Sequence, residues 1–198
     1  MELTARHSRS AVLAVLATLI LSGPASAQST AVGVDRVSIF NFAKVADDYY
    51  RGGQPLAEHF KELDALGIKT IVNLTNEEDG RPEEKALAEQ YGMRYVSIPM
   101  DTRKPPTEAE IQAFMAAVDE EGAVYVHCVG GRHRTGVMTA VYRMTRDGYT
   151  GEQAFKEMKQ HKYGPDFLHP EFKKFVLKYQ PKAAVAAATQ QQQQQQHQ

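Results

Sequence analysis

Ten residues, His127-Cys128-Val129-Gly130-Gly131-Arg132-His133-Arg134-Thr135-Gly136, constrain this chain more than any other stretch. Ahead of them runs Ala123-Val124-Tyr125-Val126-His127, an apolar segment that reads as a buried strand. Behind them, residues 136–146 set Val137, Val141 and Met144 on one helical face. A strand, a glycine-bearing loop and a helix therefore follow one another without a break, a unit that needs a layered α/β domain around it. The flanks repeat the alternation. Thr70-Ile71-Val72-Asn73-Leu74 and Arg94-Tyr95-Val96-Ser97-Ile98-Pro99 read as strands, as do Val37-Ser38-Ile39-Phe40 and Asp48-Tyr49-Tyr50-Arg51. Residues 55–66 read as an amphipathic helix with Gly67 past its end, and Asp79-Gly80-Arg81-Pro82 turns into another that ends near Tyr91-Gly92. Capping boxes at Thr107/Glu110 and Thr150/Gln153 open two more helices, and Pro170 begins the last. The expectation is a single α/β domain. Its mainly parallel sheet has four to five strands flanked by helices, with the cysteine loop between a strand and a helix.

The ends read differently. Arg6 and Arg9, the apolar run Ala11 to Leu21, the helix breaker Pro24 and the small residues Ala25-Ser26-Ala27 make residues 1–27 a secretory signal peptide, cleaved after Ala27. That run is short of the roughly 20 residues that span a bilayer, so no stable membrane insertion is expected after cleavage. The mature protein is expected to be secreted or periplasmic. Residues 28–36 read as a leader, 37–181 as the domain, and 182–198 as an Ala/Gln-rich disordered tail. A single cysteine excludes an internal disulfide and any multi-cysteine metal site. A net charge of −1 argues against a broad nucleic-acid binder.

In the ten-residue stretch each residue type has a chemical reason. A loop before a helix N-terminus turns backbone N–H groups toward an anion such as a phosphate group, and Gly130 and Gly131 permit the close approach. Val129, Gly130, Gly131, Arg132, His133 and Arg134 would line that anion, with Arg134 returning for a bidentate contact. The same positive field ionises Cys128 as a nucleophile. Thr135 can donate to the sulfur, and His127 can fix the loop through its ring. No metal or cofactor is needed.

This stretch resembles the HCx5R(S/T)G signature of cysteine-dependent protein tyrosine and dual-specificity phosphatases. Asn41-Phe42-Ala43-Lys44-Val45 and Tyr50-Arg51-Gly52-Gly53-Gln54-Pro55 resemble the opening of the atypical plant and fungal dual-specificity enzymes and their bacterial relatives. The likeness covers roughly residues 40–180, and it departs at Arg132, where the eukaryotic relatives usually carry Lys. It implies a phosphomonoester hydrolase acting through a phosphocysteine on a phosphorylated substrate, a phosphotyrosine protein or an inositol phosphate. It also implies an upstream aspartate as general acid, for which Asp101 stands best placed, with Glu108 and Glu110 in reserve. A rhodanese-like sulfurtransferase and a non-catalytic phosphate reader remain alternatives. His133 faces either the pocket or solvent, and Arg51 lines the pocket or makes a surface salt bridge. His161 and His169 read as structural or exposed, and Glu77, Glu78 and Asp79 as a solvated turn.

Overall fold

A computed structural model describes Gly33 and residues 36–182. The expected signal peptide and nearly all of the expected tail lie outside the described residues, as does most of the leader. Five strands form one sheet: β1 (Ala43–Ala46), β2 (Tyr49–Gly52), β3 (Ile68–Asn73), β4 (Arg94–Ser97) and β5 (Ala123–His127). Their order is β1-β2-β5-β3-β4; β1 runs antiparallel to β2 and every other pairing is parallel. The helices are α1 (His59–Ala65), α2 (Glu84–Gln90), α3 (Glu108–Val118), α4 (Arg134–Arg146), α5 (Gly151–Gln160) and α6 (Pro170–Lys178). The single mainly parallel α/β architecture expected from the alternation is what folds.

β5 is the middle strand, which explains why Val124, Tyr125 and Val126 are all buried: each of its faces is covered. On one face Phe60 and Leu63 of α1 and Ala88 of α2 close over Ile68, Ile71 and Tyr125. On the other, Ile111 and Phe114 of α3 and Met138 and Val141 of α4 close over Val72, Val124 and Val126. α5 and α6 pack behind α4 through Phe155, Met158, Phe172 and Val176. Both expected capping boxes form, at Thr107/Glu110 and Thr150/Gln153. Gly67 follows α1 with φ +80°.

Several boundaries differ from the sequence reading, α1 starting at His59 rather than Pro55 and β4 ending at Ser97 rather than Pro99, and two differences bear on the site. Val37–Phe40 is not a strand. The main-chain N–H of Ser38 donates to Glu62 at 2.9 Å, its hydroxyl bonds the same carboxylate, and Asn41 takes φ +57°, so the chain turns before β1 begins at Ala43. α4 begins at Arg134 rather than Gly136, which brings the arginine itself into the first helical turn.

Candidate active site

The parallel strands end on one side of the sheet, the side where α/β folds place ligands. Cys128 lies there, one residue past β5, with β2 and β3 hydrogen-bonded on either side. A cavity of about 350 Å³ opens over it, lined by Asp79, Thr102, Cys128, Val129, Gly130, Arg132, His133, Arg134 and His169. The loop from Cys128 to Arg134 wraps its floor, so the residues expected to hold an anion come together, with Gly131 set into the wall behind them.

The loop is held from beneath by the second stretch that carried the family likeness. Gly131 takes φ +60°, and a Cβ on it would lie 2.3 Å from the carbonyl carbon and oxygen of Gly52. Only glycine fits there. A Cβ on Gly53 would meet the carbonyl oxygens of Phe40 and Val129 at 3.1 Å. The Gln54 N–H donates to the Val129 carbonyl at 3.0 Å, and the Gly53 N–H to the Phe40 carbonyl at 2.8 Å. The Gly131 carbonyl accepts from the Asn41 amide at 2.7 Å and from the Arg51 guanidinium at 2.5 Å. The Tyr125 hydroxyl donates to the Gly53 carbonyl at 2.5 Å. The Tyr-Arg-Gly-Gly-Gln segment is thus the foundation of the cysteine loop.

Cys128 is 4% exposed. Burial pushes its thiol pKa up, but the Thr135 hydroxyl and N–H, the Arg134 charge and the Arg132 N–H outweigh it and hold the thiol below its ordinary value. The buried Thr135 hydroxyl has no hydrogen-bond partner in good geometry and is free to turn its donor to the sulfur, whose pKa it helps to lower. His127 Nε2 lies 2.6 Å from Glu84 Oε1, both side chains fully buried, in a contact too oblique for a straight hydrogen bond. The other oxygen of Glu84 accepts from Gln54 at 2.9 Å. His127 therefore stands behind the loop, tied to α2.

Arg134 reaches out of α4 toward a partner that the sequence reading passed over. Its Nη2 lies 3.0 Å from Asp79 Oδ2, and its Nη1 lies 3.5 Å from the Met100 carbonyl. The turn of residues 77–80 is not simply solvated, since it delivers Asp79 to the cavity. Nothing in an acidic run of that kind marks which carboxylate turns inward.

His133 lines the cavity, and its neutral ring donates from Nε2 to the Tyr163 carbonyl at 2.9 Å. Desolvation lowers its pKa and favours that neutral form. His169, which the sequence left as isolated, packs against His133 with ring centroids 3.7 Å apart and planes tilted by 35°, and also lines the cavity. Arg132 and Lys162 both lie over the ring of Phe40 at the rim, 5.3 and 4.2 Å from its centroid.

Asp101 takes a different position. Its Oδ1 accepts from the N–H groups of Arg103 and Lys104 at 2.7 and 3.1 Å, and its Oδ2 pairs with Lys104 Nζ at 3.4 Å. The Arg103 N–H and the Lys104 contacts hold the carboxyl below the usual carboxylate range. The residue after it, Thr102, lines the cavity; Asp101 itself turns back onto its own loop. Glu108 lies in the first turn of α3, paired with Lys182, and Glu110 is used in the capping box.

A family model described as "PTP-NADK: DSP-PTPase phosphatase fused to NAD+ Kinase" matches residues 36–175. The dual specificity protein phosphatase TpbA of Pseudomonas aeruginosa is 29% identical over 164 residues, 77% of this chain and 72% of that protein. Inositol diphosphatase DSP5 of Arabidopsis thaliana is 29% identical over 114 residues, 54% of this chain and 55% of that protein. The crystal structure of TpbA superposes with a TM-score of 0.59 at 26% identity, over 69% of this chain and 83% of that one. TpbA has also been solved in complex with pTyr. The cysteine loop set at a strand end before a helix, the glycine that its foundation requires and the match along most of the chain agree: the chain belongs to the DSP-PTPase family and is a cysteine-dependent phosphatase of the protein tyrosine and dual-specificity type.

Proposed function

We propose that Cys128 is the nucleophile of this phosphatase and that phosphotyrosine is the group it cleaves best. The thiolate attacks phosphorus, the bond from phosphorus to the leaving oxygen breaks, and a phosphocysteine forms. The N–H groups of the Cys128–Arg134 loop and the Arg134 guanidinium hold the equatorial oxygens, whose charge is stabilised in the transition state. Water then attacks phosphorus and the sulfur leaves as thiolate, stabilised by the Thr135 hydroxyl. Asp101 gives its proton to the leaving oxygen in the first step and takes one from water in the second. For this it must turn away from the Arg103 and Lys104 amides, and the negative charge of a bound phosphate raises its pKa as it approaches.

The observation that carries this reading is the placement of Cys128 past the end of β5, on the floor of a cavity that Arg134 and the loop between them also line. Cys128→Ser should lower turnover of para-nitrophenyl phosphate by at least about 10⁴-fold, while vanadate still binds. Turnover near the wild-type rate would remove Cys128 from the mechanism. The pH dependence follows from the two shifts. The thiolate is lost only as pH falls below a depressed thiol pKa, and the protonated acid is lost as pH rises past a depressed carboxyl pKa. In kcat/KM, which reports the free enzyme with Asp101 still on its loop amides, both limbs move to acid, so that optimum should lie below neutrality; an alkaline optimum would contradict the assignment.

A second reading, an inositol-phosphate phosphatase, draws support from the rim. Arg132 and Lys162 over Phe40 present two cations beside the loop, suited to a second anionic group. A panel of phosphotyrosine peptides run against inositol phosphates separates the two by kcat/KM. We further propose that residues 1–27 direct export, so that the enzyme works in the periplasm or outside the cell. Fractionation and the N-terminal sequence of the mature protein test this, with Gln28 expected first.

A further inference from the structure

Arg51, in β2, is fully buried. It is neither the pocket-lining cation nor the surface ion pair between which the sequence left it. Its Nη2 donates to the Gly131 carbonyl, while Nε and Nη1 have no hydrogen-bond partner. No carboxylate lies within ion-pair distance of it among the described residues. Burying an uncompensated ion costs several kcal/mol, and a guanidinium does not escape by losing its proton. Desolvation pulls its pKa down; Tyr49, Cys128, Glu157 and Tyr125 act in the opposite sense. Of these four, only Cys128 lies in the cavity where phosphate binds.

The placement adds a second role. Amides face an anion only where the carbonyls around them face away. Gly131 is the loop residue in the left-handed conformation, and its carbonyl points back into two donors, Asn41 and Arg51. One is neutral and one is charged, so the two can be separated by substitution.

We propose that Arg51 is a positioning residue of the phosphate centre, a cation seated behind the loop that holds the Gly131 carbonyl outward and whose missing counter-ion is the Cys128 thiolate, then the bound phosphate. The proposal rests on Cys128 being the nucleophile. Because Cys128 is the only cysteine in the chain, its alkylation by iodoacetamide across pH reports the thiolate directly. Arg51→Met should move the midpoint of that curve up by about one pH unit and weaken vanadate binding about tenfold. Arg51→Lys keeps the charge without the fork, so its midpoint should stay near wild type while kcat/KM falls several-fold. Asn41→Ala removes the neutral donor to the same carbonyl, so it too should leave the midpoint in place.

A wild-type midpoint in folded Arg51→Met would overturn the proposal. So would a shift as large in Asn41→Ala, because the loop's geometry and not the buried charge would then set the thiol. If Arg51→Met does not fold, Arg51→Gln, neutral and able to donate to the same carbonyl, takes its place: a raised midpoint is expected, and a wild-type midpoint overturns the proposal. Failure of the underlying reading looks different. There, wild-type Cys128 would alkylate like an ordinary thiol and Cys128→Ser would still turn over, whatever Arg51 does.

Discussion

Two loops meet over Cys128, and they are built in opposite ways. The cysteine loop is held by distant parts of the chain: its two ends, Cys128 and Arg134, are 4% and 5% exposed, and Asn41, Arg51 and Gln54 brace it from beside β1 and β2. In the loop after β4, Met100 is anchored to β3's end and to Arg134, but Asp101 is held from within the loop. The Asp101 side chain is 45% exposed, and its partners are two and three residues away. The first loop is therefore tied to the sheet beneath it, while the Asp101 side chain can be released at the cost of a few local contacts. Binding an anion needs fixed donors. Delivering a proton after substrate has entered needs a group that can move. On the proposed mechanism, the fold divides these two demands between its two loops.

Substitutions can break that contrast, and they rank by how deeply they reach into the fold. Gly131→Ala strikes the rigid side. A methyl 2.3 Å from the Gly52 carbonyl, at φ +60°, combines backbone strain with overpacking, each worth about 1–3 kcal/mol. The melting temperature should fall by several degrees and activity should be lost with it. A variant with wild-type melting temperature and turnover would show that the loop is not locked from beneath. Asp101→Asn strikes the mobile side. It should leave stability unchanged and slow poor aryl leaving groups by about 10²-fold or more, with a smaller effect on good ones. Equal slowing for all leaving groups would move the acid role to another carboxylate.

The smallest effect belongs to a third segment, the turn of residues 77–80, where it meets the rigid side. Asp79 holds Arg134, the residue that must grip phosphate. Asp79 is about a third exposed, so the pair is worth no more than about 1 kcal/mol. Asp79→Asn should therefore lower KM by up to about fivefold and leave kcat nearly unchanged. An unchanged KM would mean that Asp79 does not compete with substrate; a kcat loss exceeding that of Asp101→Asn would make Asp79 the acid.

The sequence carried the residues of the cysteine loop well and the contacts that hold it poorly, for a physical reason. Cys128, Gly131 and Arg134 are legible because their spacing is fixed by one loop between one strand and one helix. The alternation of β-branched runs with capped helices likewise showed the α/β architecture, since period and caps are local properties. What escaped was whatever depends on two distant segments meeting. Asp79 reaches Arg134 across 55 positions, and Asn41 reaches Gly131 across 90. Glu84 looks like any acidic residue in a first helical turn, yet it is buried against His127. Val37–Phe40 has strand composition but no strand partner, and composition alone does not reveal that.

The environment that makes Cys128 reactive toward phosphate also exposes it to peroxide, since a thiolate oxidises more readily than a thiol. A sulfenic acid formed there would find no second cysteine in the chain to trap it as a disulfide. Recovery would depend on small thiols reaching a sulfur at the floor of the cavity, and without them the sulfur would advance to the irreversible sulfinic state. An enzyme exported to an oxidising compartment would then lose activity in proportion to its oxidant history. Bound phosphate would be its main shield.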